Sequence, residues 1–223
     1  MEKVFDAYQF VGDHSRLFDR MMANADLLSQ LALKLFWGLD ALSYRKFLAQ
    51  AFAGIPHNFS GRLLEVPVGT GVLSLPFYKN LDGAEIICVD YSDKMLDAAK
   101  RRAAQINLRG VKFLQGDVAA LPFEDNFFDL VLSINGFHVF PDKNSAWLET
   151  RRVLRRGGIF CGCMYVKGEN RRTDFFVEKF CEPRGFFSPP YETLLSLEKF
   201  LTGKYSRVEI SGVESFAGFI CTK

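Results

Sequence analysis

The sequence has no apolar run long enough to cross a membrane and almost no net charge. None of its apolar stretches approaches the roughly 18 residues that a bilayer span needs, so we expect no stable membrane insertion. With 28 Lys and Arg against 26 Asp and Glu, the net charge is +2, which argues against a nucleic-acid partner held by charge. The first six residues include two acids where a signal or transit peptide would be basic. We therefore expect a cytoplasmic protein.

Cysteine is also scarce, and its spacing excludes the common metal and disulfide patterns. The five cysteines are an odd number and include no Cys-x-x-Cys pair. Cys161 and Cys163 lie two apart in an apolar run, where strand geometry puts both side chains on one face. A zinc site would need further Cys or His ligands at close spacing, and none lie nearby. We predict reduced, buried cysteines and no metal site.

Apolar periodicity divides the chain into a helical beginning and an alternating core. Leucines recur at steps of mostly three and four between positions 27 and 42, which predicts helices within residues 1–53. After a loop at 54–61, short apolar runs alternate with helical patterns, which indicates βαβ units and a parallel sheet. The predicted strands are 62–66, 85–90, 111–115, 128–133 and 159–166. The predicted helices are 71–80, 92–107 and 142–154, the last stopped by Gly157 and Gly158.

The end of the chain departs from this alternation. Two strand-like runs, 205–210 and 215–222, are separated only by a turn around Gly212. Parallel strands cannot be joined by so short a connection, so the pattern predicts an antiparallel hairpin added to the parallel sheet.

A glycine turn follows the first predicted strand in the stretch LLEVPVGTG, residues 63–71. In open α/β sheets, ligands bind at the carboxyl ends of the strands, where such turns let the backbone come close. A dinucleotide site would place a third glycine at position 74, which is Ser74. Glu65 at the strand end instead offers a carboxylate to an amino group. This favours S-adenosylmethionine, which carries an amino acid, over the nicotinamide cofactor of an oxidoreductase.

Two further acids follow the next two strands. Asp90 ends the second strand, 19 residues after Gly71, where a carboxylate can bind both hydroxyls of a ribose. That role is common to nicotinamide and S-adenosylmethionine sites. Asp117 follows the third strand, where it can accept a hydrogen bond from an adenine amino group, with Val118 beside the ring. Acids at three successive strand ends carry more weight than any one of them.

Together these stretches resemble the class I S-adenosylmethionine-dependent methyltransferases. Within that class the chain is similar to the small-molecule group that includes the ubiquinone/menaquinone biosynthesis methyltransferases. The matching stretches are LLEVPVGTG, CVDYSDKML, GDVAALPFEDNFFDLVLS and RRVLRRGGIFCGCM, within residues 60–166. The resemblance implies a Rossmann-like α/β fold: a seven-stranded, mostly parallel sheet of order 3-2-1-4-5-7-6, with a C-terminal antiparallel hairpin and N-terminal helices. We expect a single domain over 1–223, with a helical cap (1–53), a cofactor-binding core (60–166), a substrate-covering segment (167–204) and the hairpin (205–223).

The resemblance also assigns parts of the cofactor to particular residues. The methionine portion would be held by Glu65, Gly69 and Gly71, the ribose by Asp90, the adenine by Tyr91, Met95, Asp117 and Val118, and the substrate side by Ile134 and Asn135. Pro67 departs from the family pattern, because it stands where the first glycine of acid-x-Gly-x-Gly-x-Gly belongs. Proline fixes φ and has no N–H donor. We expect the cofactor to tolerate it; the alternatives are weakened binding or a non-catalytic protein that keeps the fold.

Methyl transfer from a sulfonium is a direct displacement, in which alignment of the reactants supplies most of the rate. His138, after the fourth strand, is the candidate catalytic residue, as a base or a substrate contact, with a purely structural role as the alternative. We expect a small-molecule substrate. An RNA or protein methyltransferase is the rival, disfavoured by the weak charge and by Ser-Pro-Pro-Tyr at 188–191, which follows the fifth strand rather than the fourth. The 23 phenylalanines and the leucine stripe fit an apolar substrate or a membrane-edge lid, although core packing explains them as well.

Overall fold

The computed structural model describes residues 2–223, and four helices precede its first strand. These are α1 (Glu2–Asp13), α2 (Ser15–Met22), α3 (Leu27–Trp37) and α4 (Ala41–Phe52). Aspartate side chains cap the N-termini of α3 and α4. The Ser29 amide donates to Asp26 at 2.9 Å, and the Leu42 and Ser43 amides donate to Asp40 at 3.0 and 2.9 Å. Such N-caps satisfy backbone donors that have no partner within the helix.

One seven-stranded sheet follows, and its order is β3-β2-β1-β4-β5-β7-β6. The strands are β1 (Gly61–Glu65), β2 (Ala84–Asp90), β3 (Val111–Gln115), β4 (Phe128–Ile134), β5 (Leu154–Tyr165), β6 (Arg207–Val213) and β7 (Phe216–Thr222). The first five pair in parallel, whereas β7 pairs antiparallel with both β5 and β6. The predicted Rossmann-like fold and strand order are therefore confirmed.

The core lies on both faces of this sheet. Along β1, Leu63 belongs to one buried cluster and Leu64 to the other, as the two-residue repeat of a strand requires. Phe47 of α4 covers the first face, and Trp147 covers the second. The covering helices after β1 are α5 (Ser74–Tyr78), α6 (Asp93–Gln105), α7 (Lys143–Val153), α8 (Arg171–Phe176) and α9 (Leu194–Thr202). All five cysteines are buried and free, as predicted.

Three predicted boundaries are wrong. The helix predicted at 71–80 is only α5, because Gly69 and Gly71 hold a turn with φ of 56° and 66° before it begins. The helix predicted at 142–154 is not ended by Gly157 and Gly158, because β5 already begins at Leu154, beside Phe128 of β4. The two glycines lie within β5, where its register with β4 shifts. The hairpin turn lies at 214–215, since Gly212 still pairs with Ala217.

Candidate active site

Two adjoining cavities lie at the carboxyl ends of the central strands. The strand-end cavity holds about 170 Å³, and the aromatic cavity beside it holds about 370 Å³. Every residue that the sequence analysis assigned to the site lines one or both of them. Asp90, Tyr91, Asp117 and Val118 line the strand-end cavity; Glu65, Gly71, Met95, Ile134 and His138 line the aromatic cavity; Pro67, Gly69 and Asn135 line both. Met95, expected beside an adenine together with Tyr91, thus lies in the other cavity.

The turn between the cavities is held by Asp90. The Gly69 amide donates to one oxygen of this carboxylate at 2.8 Å, and the Ser92 amide donates to the other at 2.9 Å. Gly69 faces open space, since a Cβ built on it would meet no atom within 4 Å. Gly71 is tightly packed instead, because a Cβ there would lie 2.4 Å from the Leu75 side chain. The turn thus presents bare backbone to both cavities.

Glu65 is a buried carboxyl without a cationic partner. It is 2% exposed, accepts a hydrogen bond from the Tyr78 hydroxyl at 2.9 Å and lies 3.5 Å from the Cys88 thiol. No Lys or Arg in residues 2–223 forms an ion pair with it. Burial raises the pKa of Glu65 to about 8, because the charged form loses its hydration. Such a group fits a ligand that brings its own positive charge.

The other two acids differ in their surroundings. Burial raises the pKa of Asp90 to about 6, although its hydrogen bonds from backbone amides oppose this rise. Asp117 accepts from the Ala119 amide at 2.8 Å and caps a short turn that begins with the buried Val118. Tyr91 is half exposed and meets Phe5 of α1 edge to face, with ring centroids 5.4 Å apart.

His138 is buried in the wall of the aromatic cavity. Its Nδ1 lies 3.0 Å from the Tyr165 amide, which is a donor, so Nδ1 accepts and the neutral ring carries its proton on Nε2. The ring stacks on Phe187 at 4.2 Å between centroids. Burial, assisted by the charge of Lys143, lowers the pKa of His138 to about 3. The side chain is therefore a neutral hydrogen-bond donor at physiological pH.

Sequence reasoning missed most of the aromatic cavity. Tyr8 and His14 lie in the N-terminal segment that could close over the site, although the sequence favours surface positions for both. His14 is exposed, but Tyr8 lines both cavities and donates from its hydroxyl to the Phe186 carbonyl at 3.1 Å. A signal existed: Val4, Tyr8 and Val11 share one face of α1 at helical spacing. The remaining aromatic lining comes from distant segments: Phe18, Phe36, Trp37, Tyr44, Phe47, Phe176, Phe186, Phe187 and Phe216.

A polar clamp fastens the N-terminal helices to the glycine turn. Thr70 Oγ1 donates to Asp19 of α2, and Arg102 of α6 forms an ion pair with the same carboxylate. Arg102 Nε also donates to the Thr70 carbonyl at 3.2 Å. Since α2 and α3 line the aromatic cavity, this clamp helps to keep that cavity covered.

The Ser-Pro-Pro-Tyr segment lies shortly before α9, which begins at Leu194. It also contacts the loop after β4: the Ser188 amide donates to the His138 carbonyl at 2.9 Å, and Lys143 Nζ donates to the Ser188 carbonyl. Among the described residues, the lining of the two cavities includes none of these four.

Residues 64–162 match a family model described as a methyltransferase domain. This stretch of the chain is therefore similar to methyltransferase domains. The chain is 36% identical over 142 residues to the demethylmenaquinone methyltransferase of Thermus thermophilus, an alignment that covers 64% of this chain and 61% of the relative. It is 31% identical over 151 residues to the ubiquinone/menaquinone biosynthesis C-methyltransferase of Rickettsia prowazekii, covering 66% of this chain and 58% of the relative. The resemblance noted in the sequence is thus confirmed.

Solved structures show the same fold. A possible histamine N-methyltransferase from Thermotoga maritima has a TM-score of 0.68 at 19% identity and covers 99% of both chains. Phosphoethanolamine N-methyltransferase 2 of Haemonchus contortus, in complex with S-adenosyl-L-methionine, has a TM-score of 0.67 at 17% identity, with 88% of this chain and 57% of that one covered. The chain spans about three fifths of the length of these two curated relatives. Within residues 2–223, no helix is long and apolar enough to cross a membrane.

Proposed function

We propose that this chain is an S-adenosylmethionine-dependent methyltransferase that acts on a small apolar acceptor. The observation that carries the proposal is Glu65, a buried carboxyl without a cation, beside a glycine turn that opens into an aromatic cavity. An ammonium group would supply the missing charge, and burying a charge is favourable only when it is paired. The methyltransferase family match and the named relatives support the same reaction.

The residues fit this cofactor along its length. Glu65 would accept from the ammonium of the methionine portion, beside Gly69 and Gly71. Asp90 would accept from both ribose hydroxyls, because its position at the end of β2 suits that role. Asp117 would accept from the adenine amino group, with Tyr91 and Val118 against the ring. We assign Met95 to the methionine side, since it lines the aromatic cavity. When bound, this cofactor supplies the methyl group as a sulfonium.

The two cavities meet at four residues, and we place the transfer there. Tyr8, Pro67, Gly69 and Asn135 line both cavities. A donor that extends from the strand-end cavity and an acceptor in the aromatic cavity would approach one another at this junction. Holding two reactants in line accounts for most of the rate of such a displacement. Ile134 and Asn135, at the end of β4, would form the floor on the acceptor side.

The lining of the aromatic cavity indicates the class of acceptor. Trp37 stacks on Phe187 with centroids 5.7 Å apart, and Phe36 stacks on Phe176 at 4.3 Å. Walls of this kind favour a flat aromatic ring with apolar substituents. Two relatives are named for demethylmenaquinone and for ubiquinone/menaquinone biosynthesis. We therefore propose a quinone-type ring, in its reduced form, as the acceptor.

His138 is the polar group best placed to orient such a ring. Its Nδ1 is occupied by the Tyr165 amide, so Nε2–H is the free donor. We propose that it donates to a ring oxygen of the acceptor and thereby fixes the carbon or oxygen to be methylated. It would not remove a proton, because an imidazole with a pKa of about 3 is a poor base.

Transfer of labelled methyl tests the proposal. Purified protein is incubated with methyl-labelled S-adenosylmethionine and a reduced demethylated naphthoquinone, and cofactor binding is followed by calorimetry with NAD as the control. We expect binding of the adenosyl ligands alone and label in the quinone product. Pro67→Gly serves as the matched variant. If S-adenosylmethionine bound to this variant but not to the natural protein, Pro67 would have abolished cofactor binding and the natural protein would be non-catalytic. Failure of both proteins to bind S-adenosylmethionine would refute the proposal.

A further inference from the structure

An apolar face on the outside of the N-terminal helices has no partner within the described residues. We call it the leucine face: Leu17 of α2 and Leu27, Leu28, Leu31 and Leu35 of α3, which are 49–79% exposed. The four α3 leucines lie within an arc of about 100°, given the helical turn of 3.6 residues. Scattered exposed leucines are ordinary, but a continuous apolar stripe on a helix surface marks an interaction site.

The other side of α3 is apolar as well. Ala32, Leu33, Phe36 and Trp37 line the aromatic cavity from the inner side of this helix. The helix is thus apolar on two sides, with the exposed Gln30 and Lys34 between them, whereas a surface helix normally has one apolar stripe, which it buries. Here α3 forms a wall one helix thick, with the aromatic cavity on one side and the leucine face on the other.

Four of the five cations in residues 15–50 have no ion pair within the described residues. Arg16, Lys34, Arg45 and Lys46 form no ion pair with any described side chain. The fifth cation of residues 15–50, Arg20, is bound to Asp26 at 2.7 Å.

The acids of the same stretch are all engaged. Asp19 is held in the clamp with Arg102, Asp26 caps α3, and Asp40 caps α4. Arg16 is the sequence neighbour of Leu17 in α2, and Lys34 is the neighbour of Leu35 in α3. Positive charge therefore accompanies the leucine face, although the whole chain is nearly neutral. A second copy of this chain would bring the same positive charges against this surface, whereas a negatively charged surface would complement them.

We propose that the leucine face docks on an anionic phospholipid bilayer. A helix with exposed leucines and flanking Lys and Arg lies in the membrane interface, where its apolar side chains are buried and its cations meet lipid phosphates. Docking would bring the outer wall of the aromatic cavity against the lipid. The inference goes beyond the proposed function, and it does not depend on it, because docking is measured without turnover.

Vesicle co-sedimentation tests this docking. The whole protein is mixed with vesicles of phosphatidylglycerol and phosphatidylcholine, or of phosphatidylcholine alone, at low and high salt. We expect stronger binding to the anionic vesicles, weakened by salt. The variant Leu27→Ser/Leu28→Ser/Leu31→Ser should lose roughly tenfold or more in partitioning, because three apolar side chains no longer enter the interface.

Matched controls separate this effect from damage to the fold. Leu148→Ser/Leu195→Ser removes equally exposed leucines from α7 and α9 and should leave vesicle binding unchanged. Arg16→Gln/Lys34→Gln, which neutralises the cations of the two helices that carry the leucine face, should weaken binding to anionic vesicles only. Thermal unfolding and calorimetric S-adenosylmethionine binding report whether each variant is folded.

Three outcomes would overturn the proposal. The natural protein would fail to sediment with anionic vesicles, or the triple leucine variant would bind them as tightly as the natural protein. In the third, the natural protein would form a dimer without vesicles and the leucine variant a monomer, which would make a second copy the partner of this face.

Discussion

Glu65 should release a proton when S-adenosylmethionine binds. In the free protein its pKa is about 8, so at pH 7 about nine tenths of the molecules carry a protonated carboxyl. A cofactor ammonium beside it stabilises the carboxylate and lowers its pKa. The protein must then lose about 0.9 proton on binding at pH 7, and about 0.1 at pH 9.

Calorimetry in buffers of different ionisation enthalpy measures this release. The Glu65→Gln variant is the control, because its amide keeps an acceptor for the Tyr78 hydroxyl but cannot titrate. At pH 7 the cofactor's amine is already mostly protonated in solution, so its own ionisation contributes little to the difference between the two proteins at that pH. The affinity of the natural protein relative to the variant should rise with pH toward about 8 and fall above it, because the carboxylate–ammonium pair needs Glu65 ionised and the amine protonated. Equal proton release by both proteins at pH 7 would refute the role assigned to Glu65.

The free protein offers an independent check of the same pKa. A carboxyl whose folded pKa is raised favours folding in its protonated form, so that stability is complete below the ordinary value of 4.5 and is lost as the pH rises through about 8. The cost of full ionisation is at most about 5 kcal/mol. Glu65→Gln should therefore be more stable than the natural protein at pH 9 and similar to it at pH 4. A parallel pH dependence of the two unfolding curves would contradict the burial argument.

Two further predictions concern His138 and the clamp. His138→Phe should lower kcat roughly tenfold or more without changing cofactor affinity. His138→Gln, which retains an N–H donor, should recover part of the lost kcat. If the pH profile of kcat showed an ionisation near pH 6.5 that disappeared in either variant, the histidine would act as a base. Asp19→Asn should loosen α2 from the glycine turn and raise the rate of tryptic cleavage after Arg16 or Arg20 roughly tenfold, because local opening controls proteolysis. An unchanged cleavage rate would mean that packing alone holds the N-terminal helices in place.

The sequence was sufficient for the sheet and for the strand-end cavity. Glu65, Asp90 and Asp117 each follow a strand, and strand ends converge at one edge of a parallel sheet whatever the details of the helices. The predicted ends of helices were wrong where a glycine could either end a helix or allow a register shift within a strand. Gly157 has a φ of 70° within β5, where a register shift rather than a helix end requires it.

The aromatic cavity was beyond sequence reasoning for a different reason. Trp37 and Phe187 stack on each other in its wall, yet 150 residues separate them along the chain. Apolar periodicity tells which face of a helix is buried, but not which distant element covers it. The same limit applies to the clamp, because Asp19, Thr70 and Arg102 carry no shared motif.

The hydrogen bonds of the glycine turn show how its backbone accommodates Pro67 at the first glycine position. The backbone donors that hold this turn belong to other residues: Val66 donates to Leu132, Val68 to Val89, Gly69 to Asp90 and Gly71 to Val68. Pro67 takes a different part, since its Cδ lies only 2.4 Å from where a Cβ on Gly136 would be. The ring therefore packs against Gly136, in the loop after β4. The turn requires glycine only at positions 69 and 71, where φ is positive, and the chain has glycine at both.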